Sequence, residues 1–303
     1  MELPSPSQPA PPVDILRPLA PTLPVVLASP HSGNSYGPDF LSLTHLDAAI
    51  LRRSEDAYVD DLFALAAQRG VPMVRALFPR SFVDANREPY EVDAAMFDGP
   101  LPSYANTRSP RVAAGLGTVP RVAFDGQAIY RRKLPVAELE RRIAWYYRPY
   151  HAALDRLIAE TRERFGHCVL IDCHSMPSTS PGGAHAPAGR VDFVLGDNHG
   201  AACAPALIHL AERWLHHHGY RVVRNQPYAG GFTTQHYGVP TQGVHVLQIE
   251  INRSLYMDEA ALRPHAGFEP LAKRLADLVE DVGRTTLGHS AFPAWIAPRN
   301  AAE

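Results

Sequence analysis

Five stretches of the chain are apolar at nearly every position instead of at every second one: VVLAS (25–29), VPMVRALF (71–78), CVLID (168–172), VDFVLG (191–196) and HVLQIEI (245–251). A strand with one wet face alternates apolar and polar residues, because successive side chains point to opposite sides of the sheet. A strand without that alternation is covered on both faces, the condition of a parallel sheet wrapped by crossover helices. The intervening segments supply such helices. Leu46, Ile50, Val59, Leu62, Phe63 and Ala66 fall at helical spacing and predict a helix over 45–69 that stops at Gly70. An apolar stripe from Val136 to Ile158 predicts a long helix with Pro149 as its bend point and Gly166 as its stop. Two more are expected over 201–218 and 258–284, the second capped by Asp258 and striped by Leu262, Leu271, Leu275, Leu278 and Val282. YRVVRN (220–225) adds a strand. The alternation predicts an α/β fold: a single domain on a mainly parallel mixed sheet flanked by helices.

The expected boundaries are a proline-rich N-terminal arm over 1–24, a main domain over 25–290 and a C-terminal tail over 291–303. The arm (PSPSQPAPP, then RPLAPTLP) lacks the basic start and apolar core of a secretory signal. With 303 residues, 46% of them hydrophobic, the chain can bury a sizeable core. Charge nearly balances, 29 basic residues against 31 acidic, so no global field draws the chain to nucleic acid or to a membrane surface. No stretch reaches the roughly 18 consecutive apolar residues of a membrane helix. Three cysteines are too few for a disulfide framework and leave at least one unpaired in a monomer, which favours a reducing cytoplasm. Oligomeric state is not legible in the sequence.

In sheets of this kind ligands gather at the carboxyl ends of the strands. Three of the apolar strands carry ionisable groups to that rim: VVLASPHSG delivers His31, CVLIDCHS delivers His174, and VLQIEINR delivers Glu250. Two histidines and a carboxylate fit a zinc site with an open position, and either Asp56 or Glu55 can reach back as the third ligand. Other divalent metals suit the same donors. A single strand-end histidine, however, is more often a hydrogen-bonded structural residue. A carboxylate buried in VLQIEI is costly unless an arginine partner or a chemical role offsets the burial. Within CVLIDCHS, Cys173 and His174 point to opposite faces, which disfavours a cysteine–histidine pair, whereas Asp172 shares a face with His174 and is expected to orient a histidine. Ser29, Ser32 and Ser175 lack the G-x-S-x-G surroundings of a nucleophilic serine. DANR (84–87) and EINR (250–253) bring Asn86, Arg87 and Arg253, the arginines suited to gripping a substrate carboxylate or to ordinary salt bridges. PYAGGFTTQHYG reads as a glycine-bearing loop or tight turn with Thr233, Thr234 and His236 as polar contacts. The HHH run at 216–218 reads as the surface end of a helix. Residues 79–130 are irregular and long enough that function is the expected reason.

The motifs SPHSG, DAYVDDL, VDANR, RRIAWYYRPYH, DCHSMPS, PYAGG with HYG after it, and LQIEINRSLYMDE follow one another from about residue 28 to 260. As a set they resemble the N-formylglutamate amidohydrolases (N-formylglutamate deformylases). The resemblance implies a fold similar to zinc-dependent exopeptidases of the carboxypeptidase type, the carboxypeptidase-like phosphorylase/hydrolase fold. It implies a cytoplasmic, zinc-dependent amidohydrolase of histidine degradation that converts a small acidic N-acyl amino acid, N-formyl-L-glutamate, to formate and L-glutamate. His31, Asp56 and His174 would hold the metal, with Asp56 preferred to Glu55 because it opens the D-x-x-V-D-x-L pattern, and Glu250 would be the catalytic glutamate. Arg87, Arg253, Asn86, Ser175, Thr234 and His236 would contact the substrate, and Asp172 would support a histidine. Two alternatives stand beside this reading: a zinc amidase of the same fold acting on another N-acyl amino acid or a cell-wall peptide, and a non-catalytic protein that binds acidic amino acids. The proline-rich arm and the Ala- and Pro-rich stretch at 99–120 are not features of the family, and the latter bears on the substrate pocket.

Overall fold

The computed structural model describes residues 11–179 and 191–287; most of the glycine- and serine-rich loop after DCHSMPS, the start of the arm and the C-terminal tail lie outside them. Seven strands form one sheet: β1 (Val13–Leu16), β2 (Val25–Ser29), β3 (Met73–Ala76), β4 (Cys168–Met176), β5 (Phe193–Gly196), β6 (Val222–Arg224) and β7 (Val244–Asn252), in the order β1-β3-β2-β4-β7-β5-β6. The four central strands β3, β2, β4 and β7 are parallel. β1 joins antiparallel at one edge, and β5 and β6, parallel to each other, join antiparallel at the other. The sheet is therefore mainly parallel and mixed. Every residue of β4 and β7 is buried, in keeping with the apolar residues they present to both faces of the sheet.

Besides short helices at Pro38–Leu43 and Pro110–Ala113, the helices are α1 (Ala48–Arg52), α2 (Val59–Gln68), α3 (Val136–Arg142), α4 (Arg148–Phe165), α5 (Pro205–His217), α6 (Phe232–Tyr237) and α7 (Phe268–Thr286). One face of the sheet, with Leu27, Ile171, Cys173 and Ile249, packs under α2, α5 and α7. The opposite face, with Val26, Ala28, Leu170 and Val246, packs under α3, α4 and the irregular segment before them. Burial of each such large apolar side chain contributes about 1.5–3 kcal/mol.

Three expected helices differ in detail. The helix over 45–69 is broken into α1 and α2, because the Asp56 N–H donates to the His31 carbonyl at 3.0 Å instead of to a helical carbonyl. Tyr58 sits in the left-handed region at φ 65° and ψ 8°, and α2 restarts only after it, with the Ser32 hydroxyl accepting from the Asp60 N–H at 3.1 Å. The long helix is interrupted by a π-helical turn over Ile143–Tyr147, just before Pro149, and ends at Gly166 with φ 82°. The last helix starts at Phe268, not at 258. Asp258 caps a tight turn, accepting from the Ala260 and Ala261 N–H groups at 2.9 and 3.0 Å, and Met257–Asp258 pairs with Arg263–Pro264 before the helix begins. Leu262, expected in the helical stripe, lies in that turn at φ 49°. The strand β1 falls inside the segment expected to be an arm.

Candidate active site

The PHSG loop leaves β2 pressed against a neighbouring backbone: a Cβ on Gly33 would lie 2.3 Å from the Phe78 carbonyl oxygen, so only glycine fits. Ser29 and Ser32 share a 2.7 Å hydrogen bond, and Ser32 also donates to the Asp56 carbonyl at 3.0 Å. These hydroxyls belong to the scaffold that holds the His31 and Asp56 loops together. The break between α1 and α2 thus has a consequence for chemistry, since it turns Asp56 toward the strand ends.

The two histidines are arranged alike. His31 Nδ1 lies 3.3 Å and His174 Nδ1 lies 2.9 Å from the same oxygen, Asp56 Oδ2. On its far side each ring meets another carboxylate: His31 Nε2 meets Asp84 Oδ1 at 2.7 Å, and His174 Nε2 meets Asp172 Oδ2 at 3.0 Å. A carboxylate at Nε2 fixes the ring and its tautomer, which leaves Nδ1 as the donor for a metal. The rings lie 4.9 Å apart between centroids. One donor atom from each of His31, Asp56 and His174 lies within 4.8 Å of the others. Ligands of a tetrahedral zinc at about 2.0–2.1 Å are roughly 3.3 Å from one another, so the donor set fits a metal of that size. Glu55 points elsewhere, accepting from the Tyr36 hydroxyl at 2.7 Å and from Arg52 Nε at 3.3 Å, so the carboxylate beside the two histidines is that of Asp56.

Register places the remaining acid. His174 pairs with Glu250 and Asp172 with Gln248 across β4 and β7, so all four side chains share one face, and Cys173 lies in the core on the other. Glu250 Oε1 accepts from Gln248 Nε2 at 3.0 Å. Burial raises the Glu250 carboxyl pKa to about 7, with the charge on His174 opposing and the Asp56 carboxylate adding to the rise. Asp56 and Asp84 go the other way. Burial would raise both, but hydrogen bonds from His174 and His31 hold Asp56 well below the usual carboxylate range, and the charges of Arg87, His31 and Arg80 do so for Asp84. Burial lowers the His174 pKa, but Asp172, Asp56 and Glu250 outweigh it and the net direction is upward.

Glu250, His31, Asp56 and His174 line a cleft of about 880 Å3, together with Asn86, Arg87, Ser175 and Arg253. Asn86 Nδ2 lies 3.0 Å from both Asp172 Oδ2 and His174 Nε2, and its Oδ1 accepts from the Thr233 N–H at 2.8 Å. Arg253 is largely committed to the framework: Nη2 donates to the Glu55 carbonyl at 2.6 Å and to Asp56 Oδ1 at 3.3 Å, and Nε donates to Ser175 Oγ at 3.2 Å. It braces the Asp56 turn instead of presenting an open fork. Arg87 Nη2 faces the cleft 3.7 Å from Asp84 Oδ2, beyond hydrogen-bond distance, while Nε and Nη1 donate to the carbonyls of Leu116 and Asn86.

Two expected substrate contacts do not reach the cleft. The PYAGGFTTQHYG segment forms α6, whose side chains fan around its axis. Gln235 faces the cleft, Thr234 is fully buried, and His236 stacks on Phe232 at 4.7 Å in a side cavity that adjoins the cleft at Arg111 and Gln235. Conversely, Asp84 and Arg80 were not singled out from the sequence. Arg80 Nη2 donates to Asp84 Oδ2 at 3.0 Å, and Arg80 Nη1 lies 3.7 Å from Asp56 Oδ1. Asp84 was within reach as the first residue of DANR, but nothing local distinguished it from a loop acid. The RRIAWYYRPYH motif acts on the same segment: Tyr147 donates to the Arg87 carbonyl at 2.8 Å and His151 Nε2 donates to the Ala85 carbonyl at 3.0 Å.

The sequence model of the N-formylglutamate amidohydrolase family matches residues 23–257. The N-formylglutamate deformylase of Pseudomonas aeruginosa is 34% identical over 85% of this chain and 88% of its own length, and that of Pseudomonas putida is 32% identical over 91% and 95%. The crystal structure of N-formylglutamate amidohydrolase from Ralstonia eutropha superposes with a TM-score of 0.85 at 37% identity, covering 90% of this chain and 98% of that one. A gene product of Agrobacterium tumefaciens, Atu2144, shares the fold with a TM-score of 0.65 at 20% identity. The chain belongs to the N-formylglutamate amidohydrolase family.

Proposed function

We propose that this protein is a metal-dependent amidohydrolase that cleaves N-formyl-L-glutamate to formate and L-glutamate, on a fold related to the zinc exopeptidases of the carboxypeptidase type. The observation that carries the metal is the matched pair of histidines, each with Nδ1 toward Asp56 Oδ2 and Nε2 against a carboxylate. His31, Asp56 and His174 would hold a divalent ion such as zinc, and when bound it would polarise the formyl oxygen and lower the pKa of water at the site. Glu250, on the adjacent strand, takes the proton from the attacking water and passes it to the departing amine nitrogen. A carboxyl with a pKa near 7 is suited to both halves of that transfer. Arg87 pairs with a substrate carboxylate through Nη2, which its 3.7 Å ion pair with Asp84 leaves without a hydrogen bond among the described residues, and Arg253 keeps Asp56 and Ser175 in place.

The test combines metal content with formate release. The purified protein should contain about one divalent ion per chain, lose formate release from N-formylglutamate on chelation and regain it on adding zinc. Glu250→Gln should keep the ion and lose at least about a thousandfold in kcat. Full turnover in metal-free protein, or an active Glu250→Gln variant, refutes the assignment.

A further inference from the structure

Four arginines line the cleft: Arg80, Arg87, Arg111 and Arg253. Three of them are matched by its own acids, Arg80 and Arg87 by Asp84 at 3.0 and 3.7 Å and Arg253 by Asp56 at 3.3 Å. Arg111 is not. Among the described residues no carboxylate comes within 4.0 Å of it, and its one side-chain hydrogen bond is a long one, 3.5 Å from Nη2 to the Gly230 carbonyl. Glu88 and Glu91 share a side cavity with Arg111, but neither comes within 4.0 Å of its guanidinium, Glu88 being turned to Asn106 Nδ2 at 2.9 Å and Glu91 to the Ser109 hydroxyl. A half-buried guanidinium facing a cleft without an internal counter-ion is a fork awaiting an anion from outside.

Its position suits the far end of a diacid. Arg111 sits on the short helix Pro110–Ala113, capped by Ser109 Oγ accepting from the Val112 N–H at 3.0 Å and anchored by buried Val112. Beyond Gly230 the wall runs on toward the reacting end: the Gly231 N–H donates to Gln248 Oε1 at 2.8 Å, and Gln248 donates to Glu250. Arg111 therefore lies along the cleft wall from Glu250, on the segment 99–120. Burial pushes the Arg87 pKa down, Asp84 opposes, and the charges of Arg80 and Arg111 add to the fall, so the cations lie close enough to repel one another until an anion enters.

We infer that Arg111 is the specificity residue that recognises the side-chain carboxylate of the acidic N-acyl amino acid, with Arg87 left for the α-carboxylate. This rests on the reading of the cleft as an N-formylglutamate hydrolase. The experiment compares kcat/KM for N-formylglutamate with that for its neutral amide analogue N-formylglutamine, in wild type, Arg111→Gln and Arg111→Lys. Wild type should prefer the diacid. Arg111→Gln should reduce that preference by about 10- to 100-fold, expressed mainly in KM, and Arg111→Lys should restore part of it. A general structural lesion would lower both substrates together and leave the ratio in place. A wild-type preference that survives intact in Arg111→Gln overturns the role of Arg111 while leaving the reaction standing. Wild-type protein that releases formate from neither compound overturns the reaction and this inference together.

Discussion

Replacing Gly231 with alanine is expected to disable the histidine cluster without touching any of its members. The backbone at Gly231, φ −94° and ψ −158°, is open to any residue, so alanine brings no backbone strain. Its Cβ, however, would lie 2.4 Å from both Asn86 Oδ1 and Nδ2 and 2.5 Å from Cγ, against ordinary contacts that begin near 3.4 Å. The amide of Asn86 must move by about 1 Å, and that movement forfeits its contacts to Asp172, His174 and the Thr233 N–H. Overpacking costs about 1–3 kcal/mol and each net hydrogen bond about 1 kcal/mol, which together with partial relaxation gives a loss of about 2–3 kcal/mol. In a chain of this size that lowers Tm by about 5 °C. Activity should fall by about 10- to 100-fold, the usual effect of freeing a metal-ligating histidine from its support. The decisive assay is a double-mutant cycle. In an Asn86→Ala background the new methyl has room, and Gly231→Ala should then cost less than about 0.5 kcal/mol and less than threefold in kcat. Additive losses in the double variant would show that the two residues do not act on each other and would refute the reasoning.

Two further outcomes follow from the same geometry. Asp84→Asn removes the charge opposite His31 Nε2 while keeping its shape, and zinc affinity measured against a competing chelator should drop by about 10- to 100-fold; unchanged affinity would remove Asp84 from the metal's support. His151 is buried between the Tyr237 hydroxyl at 2.8 Å and the Ala85 carbonyl, and burial lowers its pKa to about 4. Its folded pKa lies below the unfolded value of about 6.5, so its contribution to stability is complete above that value and is lost as pH falls toward 4. Denaturant unfolding should show the gap between wild type and His151→Gln change by up to about 3 kcal/mol between pH 7 and pH 4, and a gap constant with pH would refute it.

The strand ends were legible in the sequence because the signal there is two-fold: an unbroken apolar run marks a strand buried on both faces, and an ionisable residue at its end stands out. His31, His174 and Glu250 were found that way, and strand alternation separated Cys173 from Asp172 and His174. The break that presents Asp56 was not legible, because Leu46, Ile50, Val59 and Leu62 keep helical spacing on both sides of it. What stops the helix is a contact with the His31 carbonyl, some 25 residues away in sequence. Asp84 and Arg111 were hidden for a related reason. Both lie in the irregular 79–130 region, where no periodicity says which way a side chain points, and only tertiary contacts do. Thr234 and His236 depend on element type: a glycine-rich stretch reads as a loop with all its polar groups available, but α6 turns these two away from the cleft.

The strand β1 bears on how this protein can be handled. The family match begins at residue 23, yet β3 is an edge of the parallel sheet only until Val13–Leu16 pairs along it from Val13↔Ala76 to Leu16↔Met73. Trimming the chain to its family boundary would strip that cover and leave a row of backbone donors and acceptors open to a second molecule. The opposite border carries its own safeguard, since β6 is only three residues long and offers little to pair with. The strand Val13–Leu16 thus shields the β3 edge against edge-to-edge pairing, remote from the chemistry.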